Sequence, residues 1–473
     1  MEQQSAIIMW FRRDLRLSDH PALSAAAATG RPVIPLFICD DLTDKLGAAP
    51  KWRLGLGIEA FQSALGKAGS RLILRKGIAL QVLQDVVAET GASAVYWSRA
   101  YDPDAISRDT QLKSALKDQG VEAKSFPGPL LFEPWNVATK TGQPFRVFTP
   151  MWRAVQGRAV PQPLAAPTRL TPPVHWPASE DLSSWRLGAA MNRGAQVVKP
   201  FVQPGETAAL VVLQGFLNRL PDYSRNRDLL ASEGTSTLSE YLSLGEISPR
   251  RIWHAVQNAA LNGVSGSDAY LRQLVWREFA YHLMFHWPHI TYQNWKPEWD
   301  QFPWQTRTDQ PEVLAWTRAR TGIPVVDAGL REMYVTGRMH NRARMIVASY
   351  LTKHLMTHWK IGMRWFEDCL IDWDIAANAM GWQWVAGSGP DASPFFRVFN
   401  PVTQQEKFDP DGEYVRRWIA EGQANPPDTA LAYFEAIPRA WGLAPDDGYP
   451  QPVVELGDGR RRALAAYERY KNQ

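Results

Sequence analysis

Ile7-Ile8-Met9-Trp10-Phe11 runs without interruption into Arg12-Arg13-Asp14-Leu15-Arg16-Leu17-Ser18-Asp19. Five apolar residues in a row, without the alternation of a half-exposed strand, predict a strand covered on both faces. The signal recurs downstream at Val33–Ile38, Leu72–Leu74, Ala94–Trp97 and, more weakly, Glu122–Phe126. Amphipathic stretches of helical period lie between these runs, at Pro21–Ala28, Trp52–Ala64, Ala79–Glu89 and Ala105–Asp118. Strands alternating with helices predict a parallel sheet with helices on both faces, an α/β domain over residues 1–126. Such sheets take ligands outside the carboxyl ends of their strands. Neither G-x-G-x-x-G nor G-x-x-x-x-G-K-[ST] follows a strand here, so a dinucleotide fingerprint and a P-loop are unsupported.

Residues 127–204 hold 13 of the 35 prolines, which predicts a long interdomain linker without regular helix or central strand. Its early part, Phe148-Thr149-Pro150-Met151-Trp152, is expected to pack on a domain. From residue 205 to 473 the pattern is helical, with helices expected at Glu206–Leu220, Pro249–Leu261, Ser267–Phe285, Pro311–Arg320, Pro324–Thr336, Arg342–His354 and Ile375–Ala386. A final helix is expected at Gly459–Tyr470, after proline-rich loops. The expected fold class is therefore α/β plus all-α, the second domain being large and wholly helical.

The chain of 473 residues is 45% hydrophobic and 21% charged, which argues against disorder, collagen and a disulfide scaffold. Cys39 and Cys369 are too few for a secreted framework and fit a cytoplasmic protein. No apolar run is long enough to span a bilayer, and Met1-Glu2-Gln3-Gln4 lacks a basic-then-apolar leader pattern. A net charge of +4 is compatible with a phosphate-backbone partner without requiring one. Of 21 tryptophans, 11 fall between Trp276 and Trp384, which suits either a large helical core or aromatic stacking and electron hopping.

Four motifs carry candidate chemistry. Gly234-Thr235-Ser236-Thr237-Leu238-Ser239 places hydroxyls at the start of a helical segment, where they either hold a phosphate or cap the helix. Trp276-Arg277-Glu278-Phe279, on an apolar helix with Gln273 and His282, reads as a core helix with a buried ion pair or as a site. In Met339-His340-Asn341-Arg342-Ala343-Arg344-Met345 the two arginines are two residues apart. On a helix they point to different faces, one toward a phosphate and the other toward an internal carboxylate; a solvated face is the plainer reading. In Asp372-Trp373-Asp374-Ile375-Ala376-Ala377-Asn378, leading to Gly381-Trp382-Gln383-Trp384, no metal ligand set forms; one Asp suits a helix cap and the other an arginine partner.

In this order, and with the opening Trp10–Asp19 and Phe399-Asn400-Pro401, these motifs resemble the photolyase/cryptochrome flavoprotein family over nearly the whole length. The likeness is to bacterial photolyases that act on cyclobutane pyrimidine dimers. It implies FAD in the helical domain, held by Tyr223, Thr235, Ser236, Thr237, Leu238, Ser239, Arg277, Asn341, Arg344, Asp372, Asp374 and Asn378. Asn378 matches the place facing flavin N5, where photolyases have Asn, plant cryptochromes typically Asp and insect cryptochromes Cys. Trp382, Trp359 and Trp304 match a tryptophan relay from flavin to surface.

The resemblance implies light-driven electron transfer from reduced FAD to a dimer in UV-damaged DNA. The ring splits, the electron returns, and the dimer must first be flipped out of the duplex. Gln273, Trp276, Asn341, Met345 and Trp384 match dimer contacts, and Arg342 and Arg397 match backbone-phosphate contacts. Gln273 stands where many dimer photolyases have Glu and (6-4) photolyases tend to have Gln; animal-type (6-4) enzymes have His-His at His340-Asn341. Arg338 stands where many relatives have Trp. The alternatives are a cryptochrome-type blue-light photoreceptor and a (6-4) photolyase. A second antenna chromophore is a family option; Asp104-Ala105 replaces the Asn-Glu common in folate binders, and Ser243 the Lys common in deazaflavin binders. The protein is expected to be a monomer with no membrane partner.

Overall fold

The computed structural model describes residues 5–472 except 392, 394 and 396, so the leading Met1–Gln4 lies outside the described residues. Five parallel strands, β1 (Ile7–Phe11), β2 (Val33–Cys39), β3 (Ile73–Lys76), β4 (Ala94–Ser98) and β5 (Glu122–Phe126), form a sheet in the order β3-β2-β1-β4-β5. Ile7 pairs with Val33 on one side and Ala94 on the other, so β1 is central. Ile7, Met9 and Phe11 enter one apolar cluster and Ile8 and Trp10 another. Side chains alternate across a strand, so two covered faces require the unbroken apolar run. The connections run through α1 (Pro21–Ala28), α2 (Ala48–Lys67), α3 (Ala79–Thr90) and α4 (Pro103–Asp118).

The helical part contains α5 (Phe148–Val155), α6 (Ser239–Leu244), α7 (Ser267–His286), α8 (Pro324–Thr336), α9 (Asn341–Ser349), α10 (Trp359–Cys369), α11 (Ile375–Ala386) and α12 (Leu456–Lys471), among others. Two expectations need correction, and one helix had no expectation. The proline-rich stretch does contain a regular helix, α5, which buries Phe148, Met151, Trp152 and Val155. Pro150 is tolerated because it lies in the first turn, where backbone N–H groups have no intrahelical partner. The helix expected over Arg342–His354 ends as α9 at Ser349 and continues as a π-turn, Tyr350–His354. Helix α10 was not expected, although it is 11 residues long and its buried Trp359, Gly362, Met363 and Phe366 fall at the i, i+3, i+4, i+7 spacing of one face, with Lys360, Arg364, Glu367 and Asp368 outside it.

The segment after β1 joins the sheet to the helices. Arg13 donates to Ser243 O (2.7 Å) and Trp373 O (2.8 Å), and Arg16 donates to Gly245 O (2.9 Å). Gly245 closes α6 at φ 66°, and a Cβ there would lie 2.2 Å from Arg13 O, so the junction requires glycine. The charged run beginning at Arg12 thus buttresses the two chain segments, around Ser239 and Trp373, that build the candidate site. Among the described residues no helix is long and apolar enough to cross a membrane.

Candidate functional site

A cavity of about 1050 Å³ opens among the helices, at the upper end of the ~300–1,000 Å³ usual for small-molecule sites. Its inner wall begins with the hydroxyl run. Thr235, Ser236, Thr237, Leu238 and Ser239 all line it, and α6, which follows, has no side-chain cap. The hydroxyls are therefore free of the capping task; Ser236 Oγ instead meets the Tyr270 hydroxyl at 3.0 Å. Tyr223 lines the same end and packs edge-on against Tyr270, their centroids 5.3 Å apart.

Asp372 sits between two donors, the Ser239 hydroxyl at 2.7 Å and Arg344 Nη2 at 2.8 Å, both to Oδ2. Its other oxygen, Oδ1, is buried with no partner among the described residues. Asp374 takes the other role expected of the pair: Oδ1 caps α11 by accepting from Ala377 N (2.9 Å), and Oδ2 accepts from the Tyr281 hydroxyl (2.6 Å). Burial and the neighbouring Asp374 push the Tyr281 phenol well above its ordinary range. Arg277 lies over the Tyr281 ring at 4.8 Å and donates to Pro129 O. The Asn378 amide nitrogen donates to Asp374 O (3.0 Å), which leaves its oxygen for a ligand.

The two arginines of α9 diverge as their spacing requires. Arg344 turns inward, whereas Arg342 is outside the cavity lining, paired with Asp228 (2.9 Å) over the Phe408 ring (4.2 Å). His340 caps α9 by accepting from Arg342 N at Nδ1 (3.1 Å). Burial lowers its pKa to about 4, in keeping with a ring that must accept.

At the mouth, Gln273, Trp276, Asn341, Met345 and Trp384 line the cavity. Arg397 is exposed and lines a small recess beside Trp384 with Lys353, whose ammonium donates to Arg397 O (2.8 Å) and Phe395 O (3.0 Å). Burial lowers the Lys353 pKa to about 7.

Of the three relay tryptophans, only Trp382 lines the cavity; its ring is edge-on to Phe366 (4.9 Å) and Trp316 (6.2 Å). Gly362 of α10 admits it, since a Cβ there would lie 2.1 Å from the Trp382 ring. Trp359 is buried and donates to Asn294 Oδ1 (2.8 Å). His358 touches both Trp359 (5.4 Å) and Trp304 (5.3 Å). Trp304 is 6% exposed and stacks on Trp299 at 5.6 Å, so only a small part of its ring meets solvent.

Several lining residues escaped the sequence reading. Tyr270 precedes Gln273 and Arg277 by three and seven residues, a helical spacing that had the signal. Arg219, Arg227, Arg417 and Trp418 come from distant segments that carried none. Arg338 lines the cavity and pairs with the buried Glu240 (2.8 Å). Asp104 is exposed in the first turn of α4, and Ser243 is buried, donating to Glu240 O.

Comparisons with known proteins give the chain its relatives. Residues 7–168 match "DNA photolyase" and residues 270–469 match "FAD binding domain of DNA photolyase". The chain is 46% identical over 471 residues to the deoxyribodipyrimidine photo-lyase of Agrobacterium fabrum, covering 98% of each. It is 33% identical to cryptochrome-2 of Arabidopsis thaliana, over 99% of this chain and 80% of that one. A class III photolyase of Agrobacterium tumefaciens superposes with a TM-score of 0.92 at 44% identity, covering 100% of this chain and 99% of that one.

Proposed function

Because the chain belongs to the DNA photolyase family, we propose that it is a deoxyribodipyrimidine photo-lyase, which uses FAD and light to split cyclobutane pyrimidine dimers in DNA. One observation carries this reading: a single cavity joins an inner wall of hydroxyls and matched charges to a mouth of aromatic rings. Cofactor and lesion would then meet without leaving the protein.

The residues present fit FAD. Thr235 and Ser236 offer hydroxyl donors to phosphate and ribityl oxygens, Ser239 beside them spends its own on Asp372, and the buried Asp372 Oδ1, without a partner among the described residues, is an acceptor awaiting a ligand's donor. The Arg344–Asp372 pair adds no net charge to the wall. Asn378 presents an uncharged amide that suits a ring nitrogen with or without its proton. Bound FAD supplies the photoexcited electron that opens the cyclobutane ring and afterwards takes it back. The residues around it therefore need no nucleophile or general base; their work is to bind, orient and keep water out. Trp382, Trp359 and Trp304 are the row through which an electron moves inward to reduce the cofactor.

Trp276 and Trp384 are the surfaces on which the dimer stacks, with Gln273, Asn341 and Met345 beside it. Flipping the dimer costs a few kcal/mol, less for poorly stacked damaged bases, and stacking returns ~1–3 kcal/mol per base. Arg397 faces the backbone phosphates. Arg342 can do so only by sharing or leaving its bond to Asp228. The protein acts as a monomer on a flipped dimer.

The test is to illuminate the photoreduced protein with DNA carrying one thymine cyclobutane dimer. Thymine absorbance is expected to return only in light. No return from a protein that contains reducible FAD would overturn the reading, and a return only with a (6-4) lesion would change the substrate.

A further inference from the structure

Trp276 does not stand alone at the mouth. Phe148, the first residue of α5, lies flat against it, with ring centroids 3.7 Å apart and planes 9° apart. Phe279 stands edge-on to both rings, at 5.7 Å from Trp276 and 5.9 Å from Phe148. One turn further along, Arg272 lies over the Trp152 ring at 5.8 Å. Residues 148 and 152 thus meet 276 and 272, the register of two antiparallel helices in contact along one i,i+4 stripe on each. The amino end of α5 is tied down as well: Phe148 N donates to Asp391 Oδ2 (3.4 Å), and Asp391 lines the cavity. Phe148 is buried, 1% exposed, and is itself no part of the cavity lining.

We propose that Phe148 is a positioning residue for substrate: by occupying the back of Trp276 it fixes the plane on which the flipped dimer stacks. The proposal rests on Trp276 being a wall of the dimer site. An unsupported indole on a helix surface can swing about its side-chain torsions. Offset or parallel stacking on a second ring holds it in one orientation before the base arrives, so less ordering remains for binding to bear. The connector segment, on this account, is part of the binding apparatus.

The experiment compares Phe148→Leu, Phe148→Tyr, Trp276→Leu and the Phe148→Leu/Trp276→Leu double variant, each with its FAD. It reads affinity for duplex DNA with one thymine dimer, affinity for the undamaged duplex, and flavin absorbance. Phe148→Leu is expected to lose roughly tenfold in dimer affinity, with undamaged-DNA affinity and flavin content unchanged, and Phe148→Tyr to restore it. The double variant should bind no worse than Trp276→Leu, because Phe148 acts through that ring. Parental dimer affinity in Phe148→Leu beside a weakened Trp276→Leu overturns the proposal alone. An unweakened Trp276→Leu overturns the reading of Trp276 itself. If Phe148→Leu sheds its flavin, Phe148→Met replaces it; shedding by both makes the role structural and overturns the proposal.

Discussion

Around Asp372 the cavity wall is made of charges that are already matched; around Trp276 it is made of flat rings backed by other rings. Matched charges recognise one arrangement of donors and acceptors and penalise every other, because an unpaired buried polar group is costly. Rings recognise area and plane, and any base offers both. The inner wall thus suits a ligand that stays, and the mouth suits one that must leave after each turnover.

The comparison can be broken most directly at Asp372. Asp372→Ala removes the partner of Arg344 and the acceptor of Ser239 together. We expect loss of flavin and of about 2–4 kcal/mol in stability, below the ~3–5 kcal/mol of a fully buried pair because the Arg344 side chain is 21% exposed. Denaturant titration and flavin absorbance check it; a flavin-replete, stable variant would mean the wall is not held by its charges.

Acid should attack two helix starts, that of α9 in the same wall and that of α10 beside Trp304. His340 caps α9 and His358 caps α10, each by accepting at Nδ1, and burial lowers both pKa values to about 4. An unfolded histidine protonates near 6.5, so between those values unfolding takes up protons. Their contribution to stability is therefore full above about pH 6.5 and falls as pH drops toward 4, by up to ~3 kcal/mol for each ring, against the opposite slope of Glu278, whose carboxyl burial pushes up to about 7. Unfolding free energies of the parent and of His340→Asn, which keeps an acceptor at the cap, measured from pH 7 to 4 check the sign: the parent should lose stability relative to the variant as pH falls.

The mouth should respond differently. Trp384→Leu is expected to weaken dimer binding by ~1–3 kcal/mol while flavin content stays at the parental level. Equal losses of flavin and dimer binding would erase the distinction between the two regions. The smallest effect is expected at the rim: Arg397→Ala should weaken damaged and undamaged DNA alike and reduce the log–log salt slope by roughly 1.

Much of the inner wall was legible because its residues come in short motifs. The two-residue spacing of Arg342 and Arg344 told that they would part, and it did so without naming Asp228 as the outward partner. Asp372 and Asp374 divided between arginine and cap as their place before an apolar helix suggested. The mouth was half legible: Trp276 and Trp384 carry motif signals, whereas Phe148 sits more than a hundred residues earlier, in a proline-rich stretch that reads as a connector. The relay is the converse case, since the motif supplied its members but not the burial of Trp304 behind Trp299.

By itself the sequence determined the α/β sheet, the helical second part and the chemical character of the site. Strand and helix follow from local periodicity, and cofactor chemistry from residues close together in the chain. Only the tertiary structure decided which face of Trp276 remained for a ligand, that α5 would form, and that Asp372 would keep one oxygen without a partner among the described residues. Those are contacts between segments far apart in sequence, fixed by packing, and no local pattern encodes them.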